Sequence, residues 1–95
     1  MSAYMIVNVD VKDPDVYEEF KAIFPALMRK YGGEYLVRGG QLVILEGDWK
    51  PSRFVVFRFP DITFVQTLYN DPDYQPLKAL RQRVSRMDIV AVEGL

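Results

Sequence analysis

The stretch from Tyr31 to Gly40, Tyr-Gly-Gly-Glu-Tyr-Leu-Val-Arg-Gly-Gly, constrains the fold of this chain more than any other stretch. Two glycines that follow a helical pattern predict a helix end, because glycine readily adopts the left-handed conformation that closes a last helical turn. Residues 34–38 are rich in aromatic and branched side chains and predict a short strand. Gly39-Gly40 predicts a two-residue hairpin turn, so residues 41–46 are expected to form the returning strand. The stretch therefore predicts a helix–strand–strand unit.

A long helix is predicted before this unit. Asp13-Pro14-Asp15 is typical of a helix start, because Asp13 can cap the first turn and Pro14 suits the first helical position. Pro25 either kinks this helix or divides it into two. The helix is expected to bury the apolar residues that recur at helical spacing, namely Val16, Phe20, Ile23, Leu27 and Tyr31.

Two shorter helices are predicted in the second half of the chain. Asp61 and Asp71 each precede a helical pattern and are expected to act as caps. The first of these helices is marked by Ile62, Val65, Leu68 and Tyr69. The second is marked by Tyr74, Leu77, Leu80, Arg81 and Val84.

Residues 3–10, 53–59 and 86–93 predict three further strands, and each carries bulky apolar side chains on both faces. The predicted element order is β-α-β-β-β-α-α-β. This order favours an α+β domain over residues 1–95 with a ferredoxin-like split βαβ arrangement, an antiparallel sheet and helices on one face. Helices of so short a chain can cover only that face. We therefore expect the other face to be covered by a second copy, in a homodimer packed sheet on sheet.

Composition excludes several classes of function. The 95 residues carry a net charge of −1, which argues against nucleic acid or an anionic membrane held by charge. Histidine and cysteine are absent, so the usual metal and haem ligands are missing and neither a metal site nor a cofactor is expected. No apolar run reaches about 18 residues, the length of a membrane span. The expected location is the cytoplasm.

An alternative interpretation of the strand predicted at residues 53–59 is that it binds nucleic acid. Its sequence, Arg-Phe-Val-Val-Phe-Arg-Phe, is similar to the aromatic strand of an RNA-recognition motif on a split βαβ fold. The glycines of that motif are missing, the chain is slightly acidic, and a sheet-on-sheet dimer hides the strand. No nucleic-acid partner is therefore expected.

Ordered motifs along the chain resemble one family. They are Tyr31-Gly32-Gly33, Leu36-Val37-Arg38-Gly39-Gly40, Glu46-Gly47-Asp48-Trp49, Phe59-Pro60-Asp61 and Asp71-Pro72-Asp73-Tyr74-Gln75-Pro76-Leu77. Together they resemble the uncharacterised domain-of-unknown-function family 1330. The resemblance implies a ferredoxin-like fold that pairs into a dimeric α/β barrel, an architecture that includes cofactor-free monooxygenases, isomerases, haem-degrading enzymes and ligand-sensing modules. Asn70-Asp71-Pro72 stands where the family often has Ser-Pro, so no role of that serine is carried over.

Five residues are candidates for lining a ligand pocket between the sheet and the helices: Arg38, Trp49, Arg53, Tyr69 and Tyr74. An arginine can bind a carboxylate, a loop tryptophan can cap a pocket, and a tyrosine can donate a hydrogen bond to a substrate oxygen. Each also has a purely structural interpretation: strand-end ion pairing or solvation for the arginines, packing for the tryptophan, and core packing for the tyrosines. No residue is identified as catalytic.

Two functions remain open on this basis. The first is a homodimeric domain that binds a small, partly aromatic or carboxylated organic molecule, as a cofactor-free oxygenase or isomerase if it is an enzyme. The second is a non-enzymatic interaction or ligand-sensing module whose dimer surface is the function. The absence of histidine and cysteine supports the second function, since few enzymes of this size lack both residues.

Overall fold

A computed structural model describes residues 1–95 as an antiparallel sheet with three helices. In chain order the elements are β1 (Ala3–Val11), α1 (Pro14–Lys30), β2 (Glu34–Arg38), β3 (Phe54–Phe59), α2 (Ile62–Asn70), α3 (Tyr74–Val84) and β4 (Ser85–Glu93). The strand order is β2-β3-β1-β4, and every neighbouring pair is antiparallel. The α+β class and the ferredoxin-like split βαβ arrangement predicted from the sequence are confirmed.

One predicted strand does not form. Residues 41–46 have no strand structure, and the chain from β2 to β3 is an irregular connection. The place beside β2 is taken by β3, since Arg38 pairs with Val55 and the Gly39 N–H donates to the Phe54 carbonyl at 2.8 Å. Gly39-Gly40 therefore does not close a hairpin, although Gly39 has the expected positive φ of 70°. Residues 41–46 pair with no strand of their own chain, and β2 remains an edge strand with β3 as its single neighbour.

Helix α1 runs through Pro25 without dividing. Asp13 caps it as predicted, because its carboxylate accepts a hydrogen bond from the Val16 N–H at 3.2 Å. The predicted buried side of α1 is correct in part: Phe20 is buried, and Val16, Leu27 and Tyr31 are partly buried against the core, but Ile23 is 54% exposed. Tyr17, Phe24 and Met28 are buried together with Phe20, so the centre of the buried side is rotated from the predicted one. The larger aromatic side chains occupy the space over the sheet, and the smaller branched ones lie towards the flanks.

The two predicted caps in the second half of the chain differ. Asp61 caps α2 as predicted, since its carboxylate accepts from the Thr63 N–H at 2.8 Å. Asp71 is not the residue that caps α3, which begins only at Tyr74. Its carboxylate forms a turn by accepting from the Asp73 N–H at 2.7 Å and also accepts from the Tyr31 hydroxyl. This buried carboxylate therefore ties the end of α1 to the turn before α3.

The two faces of the sheet differ sharply in burial. On the inner face, β1 and β3 bury Ala3, Met5, Val7, Val9, Val55, Phe57 and Phe59 beneath the helices. On the outer face, a row of four aliphatic side chains crosses all four strands, because Val37 is paired with Val56, Val56 with Ile6, and Ile6 with Val90. No helix covers this row, and Val90 is 60% exposed. The prediction that helices cover one face of a two-faced apolar sheet is confirmed.

None of the three helices combines the length and the apolar character needed to cross a lipid bilayer. The cytoplasmic location expected from the sequence stays a prediction.

Candidate functional site

A cleft lies between the inner face of the sheet and helices α1 and α3. It contains about 500 Å³ of space outside the atoms, including its open mouth. The enclosed part of the cleft is narrow, because the side chains that line it stand close together in this structure. Sheet register explains the position, since Arg38, Val55, Val7 and Ile89 pair in one row across all four strands and all four line the cleft.

Aromatic rings form much of the wall. Phe20 and Phe24 stack at a centroid distance of 5.2 Å on α1, where their spacing of four residues places them on one side of the helix. The edge of Phe57 on β3 meets Phe24 at 5.8 Å, and Tyr35 on β2 lies 4.7 Å from Phe57. Such walls provide flat apolar surface that suits an aromatic or planar molecule.

Three guanidinium groups line the same cleft without a carboxylate. Arg38 lies over the ring of Tyr35 at 4.5 Å, and Arg53 is half-buried beside Gly39. Arg81 on α3 is only 4% exposed, and its Nε donates to the Tyr74 hydroxyl at 2.9 Å. None of the three forms an ion pair, and no aspartate or glutamate lines the cleft. The fourth cation, Lys21, is paired with Glu18 at 3.1 Å.

Two buried phenols face these cations. Burial raises the pKa of the Tyr74 phenol, and the charge of Arg81 opposes that rise. Burial also raises the pKa of Tyr17, against the charges of Arg53, Arg81 and Arg38. Both phenols are therefore neutral near pH 7 and can donate a proton in a hydrogen bond. The Tyr17 hydroxyl makes no hydrogen bond within the protein, and since no fully buried polar side-chain atom lacks a partner, this hydroxyl reaches the open space of the cleft.

The structure brings together three of the five residues predicted for the pocket. Arg38, Arg53 and Tyr74 line the cleft. Trp49 does not: it is 61% exposed and packs edge-on against Phe54 at 5.5 Å, on the outer side of the sheet. Tyr69 is also outside the cleft, in a small neighbouring cavity. Its ring lies under Lys78 Nζ at 4.4 Å. Arg58, on the same strand as Phe57, points to the outer face and pairs with Glu34 at 3.4 Å.

Sequence reasoning missed Tyr17 and Tyr35 as lining residues. Tyr17 precedes Phe20 and Phe24 by three and seven residues, a spacing that places all three on one side of a helix. The spacing of Val16 and Ile23 instead predicts a buried side that does not include Tyr17. Tyr35 lies next to a β-bulge between Tyr35 and Val37, which sends both Tyr35 and Arg38 to the inner face. A strict alternation along β2 cannot place both there.

No cluster of three or more acidic residues is arranged to bind a metal ion. The cleft offers a ligand aromatic surface, phenolic donors and guanidinium groups.

These features define the class of the protein: a ferredoxin-like α+β domain with a cationic, aromatic cleft between the sheet and the helices. The model of one family, described as a domain of unknown function (DUF1330), matches residues 2–95, and the chain belongs to that family. The resemblance seen in the sequence motifs is thereby confirmed. Among curated proteins, none matches the chain.

Solved structures share the fold at low sequence identity. A protein of unknown function from Rhodopseudomonas palustris is 17% identical, with a TM-score of 0.77 over 99% of this chain and 82% of that chain. SnoaB, a cofactor-independent oxygenase from Streptomyces nogalater, is 14% identical, with a TM-score of 0.71 over 99% of this chain and 93% of that one. A dimeric ferredoxin-like protein of unknown function from Jannaschia sp. CCS1 is 15% identical, with a TM-score of 0.71 over 99% of this chain and 100% of its own length. At these identities the likeness concerns the fold.

Proposed function

We propose that the protein is a homodimer that binds a small organic molecule in the cleft of each subunit. The observation that carries this proposal is the convergence of Arg38, Arg53 and Tyr74 with buried aromatic rings in one cavity. Polar groups that converge on an otherwise apolar cavity are characteristic of ligand sites. The cleft is narrow in this structure, so a ligand enters by displacing the side chains of Arg38 and Arg53 at its exposed side.

The activity that suits this cleft best is a cofactor-free oxygenation or isomerisation. The likeness to SnoaB supports this choice at the level of the fold. Tyr74 is held by Arg81 and Tyr17 is free, so one phenol is fixed in orientation and the other is available as a donor. A phenol that is kept neutral by burial can donate a hydrogen bond to a developing oxyanion.

The homodimer is supported by the outer face of the sheet. The aliphatic row of Val37, Val56, Ile6 and Val90 lies uncovered in the single chain, and apolar patches of this kind mark interaction sites. The structural relatives from Jannaschia and from Bacteroides fragilis are described as dimeric. A second copy of the same sheet face is complementary in its apolar character and completes the dimeric α/β barrel.

A second candidate is an interaction or ligand-sensing module without catalysis. The exposed outer face and the exposed apolar run at residues 42–45 favour it, because they offer more binding surface than the cleft does. Arg38→Ala separates the two candidates. Arg38 lines the cleft and not the outer face. The substitution therefore removes the ligand and leaves the dimer intact if the cleft is the functional site, whereas Val90→Glu on the outer face is the substitution that removes the function if association is the function.

Native mass spectrometry of gently purified protein tests the proposal. The expected result is a dimer that retains a defined small molecule, with the added mass lost in a Tyr74→Phe, Arg53→Gln variant. The matched control is Arg83→Gln, an exposed position on α3 outside the cleft. A dimer that never retains a molecule, together with no binding in solution to the probes described below, would favour the interaction module.

A further inference from the structure

We propose that the ligand is an organic anion with a flat apolar body, whose negative end lies between the guanidinium groups of Arg53 and Arg81. This inference rests on the proposed function and specifies its ligand class. It follows from the balance of charge in the cleft, the free donors of one buried arginine, the aromatic walls, and the absence of a base.

The charge balance is unusual for a small acidic protein. The chain carries 13 acidic and 12 basic residues, yet three arginines share one cleft that no carboxylate lines. The ion pairs of the molecule involve none of these three arginines: Lys21, which also lines the cleft, pairs with Glu18, and Arg58 pairs with Glu34. Buried charges in proteins are normally paired, because removal of an ion from water is costly unless an opposite charge compensates it. A bound anion supplies the charge that the cleft lacks.

Arg81 is the strongest element of this argument. Its side chain is almost completely buried, and its only side-chain hydrogen bond runs from Nε to the Tyr74 hydroxyl. A guanidinium group has five N–H donors in a planar fork that matches a carboxylate. The two terminal nitrogens of Arg81 have no acceptor within the protein, and the residue lines the cleft. The Tyr74 contact fixes the orientation of the group, and the terminal nitrogens are left for a ligand.

The aromatic walls determine the other end of the ligand. Phe20, Phe24 and Phe57 enclose the apolar part of the cleft, and Tyr35 stacks against Arg38 at its side. A planar ring inserted here contacts aromatic edges and faces and also one stacked guanidinium.

The cleft also lacks any group that can take a proton from the ligand at neutral pH. It has no histidine and no carboxylate, and both buried phenols are protonated at neutral pH, since burial raises their pKa above the ordinary tyrosine value of about 10. A ligand that carries a negative charge before it binds fits this cleft, either as a carboxylate or as an acidic phenol or enol that has released its proton to bulk water. Electrostatic stabilisation of that ionised form is then the main contribution of the protein to any reaction.

Paired probes test the charge requirement directly. Benzoate and 1-naphthoate are titrated into the ¹⁵N-labelled dimer, each against its neutral carboxamide of the same shape, and binding is followed by NMR. We expect each carboxylate to bind about tenfold more tightly than its carboxamide, the effect of a charge-assisted hydrogen-bonded pair. Shifts are expected in β2, the middle of α1 and the cleft side of α3.

Substitution of single arginines tests which guanidinium groups contact the carboxylate of the probe. Arg81→Gln and Arg53→Gln are each expected to reduce the preference for the carboxylate by about tenfold. Arg83→Gln, two residues further along α3 and exposed, is the matched control and should leave it unchanged. If Arg81→Gln fails to fold, Arg53→Gln and Arg38→Gln at the exposed side of the cleft make the same test.

The outcomes separate this inference from the proposed function. Carboxamides that bind the cleft as tightly as carboxylates would overturn the anion proposal and leave a neutral-ligand pocket. Carboxylates whose shifts map to exposed lysines or to Arg83 would overturn the assigned position. No shift in the cleft with any of the four probes would contradict both the anion proposal and the pocket itself.

Discussion

At the scale of single residues, the two glycines after α1 have different tasks. Gly32 has a positive φ of 76° and closes the helix, as the sequence predicted for one of the pair. Gly33 is needed for space, because a Cβ atom there would lie 2.7 Å from Phe59 and 2.8 Å from the sulfur of Met28. Phe59 and Met28 are each only 1% exposed and have little room to move. Gly33 thus lets β2 approach the centre of the core.

Gly33→Ala should therefore destabilise the protein by about 1–3 kcal/mol, the usual cost of overpacking a core. Gly40→Ala is the matched control, because a Cβ atom added at Gly40 would meet no atom within 4 Å and the residue has no positive φ. Its expected effect is within about 0.5 kcal/mol. Urea unfolding of both variants measures the difference, and equal free energies of unfolding would show that Gly33 is not a packing constraint.

The Tyr31–Asp71 hydrogen bond predicts a pH dependence of stability. The hydrogen bond from the Tyr31 hydroxyl is the main cause of a lowered pKa at Asp71, and the Asp73 N–H adds to it. A carboxyl group whose pKa is lower in the folded state stabilises the protein above its ordinary pKa of about 4 and loses that contribution as the pH falls further. The same hydrogen bond raises the pKa of Tyr31, so the contribution is also lost well above pH 10.

Tyr31→Phe should therefore be less stable than the unaltered protein between about pH 5 and pH 9, with the difference shrinking below about pH 4. Denaturant unfolding at several pH values measures this difference. The lowered pKa of Asp61 depends on hydrogen bonds from Thr63, so the contribution of Asp61 to the pH dependence is the same in both proteins and cancels in their difference. A difference between the two proteins that stays constant down to pH 2 would show that the Tyr31 hydroxyl does not act through the Asp71 carboxylate.

At the scale of elements, the connection between β2 and β3 stands out. Residues 41–46 have the composition of a strand but no strand partner in their own chain, and Val43 and Leu45 are 69% and 92% exposed. Exposure of consecutive large aliphatic side chains is unfavourable in water. We expect the second copy in the dimer to cover this segment.

Leu45→Glu should then weaken dimerisation about tenfold or more, because the loss of one buried leucine contact costs roughly 1.5–3 kcal/mol. Ile23→Glu is the matched control: Ile23 is also an exposed aliphatic residue, but it lies on α1, away from the outer sheet face. Analytical ultracentrifugation measures the dimer dissociation constant of both variants. Equal dissociation constants would mean that the segment lies outside the interface.

At the scale of the whole molecule, the proposed dimer links folding to association. Partner binding stabilises the folded state by mass action, so Tm should rise with protein concentration. Differential scanning fluorimetry across a hundredfold range of concentration checks this, and Val90→Glu on the outer face should reduce the dependence. A Tm that is independent of concentration, with the sedimentation mass of a single chain, would contradict the homodimer.

Local chemistry made much of this fold predictable from the sequence. Asp13 and Asp61 cap their helices as predicted, Gly32 ends α1, and the buried side of α3 carries Tyr74, Leu77 and Arg81 as its spacing indicated. These features depend on backbone conformation and on hydrogen bonds between residues a few positions apart. The sequence determines them without reference to the rest of the molecule.

Tertiary structure alone decided the pairing of β2, the rotation of α1 and the composition of the cleft. β3 lies beside β2, because its buried Val55 and Phe57 continue the core that β1 begins, and residues 41–46 pair with neither strand. Arg38, Arg53 and Arg81 meet only because a β-bulge, a strand end and a helix face converge over the same row of the sheet. Such a site has no local sequence pattern, since the energy that assembles it comes from packing between distant segments.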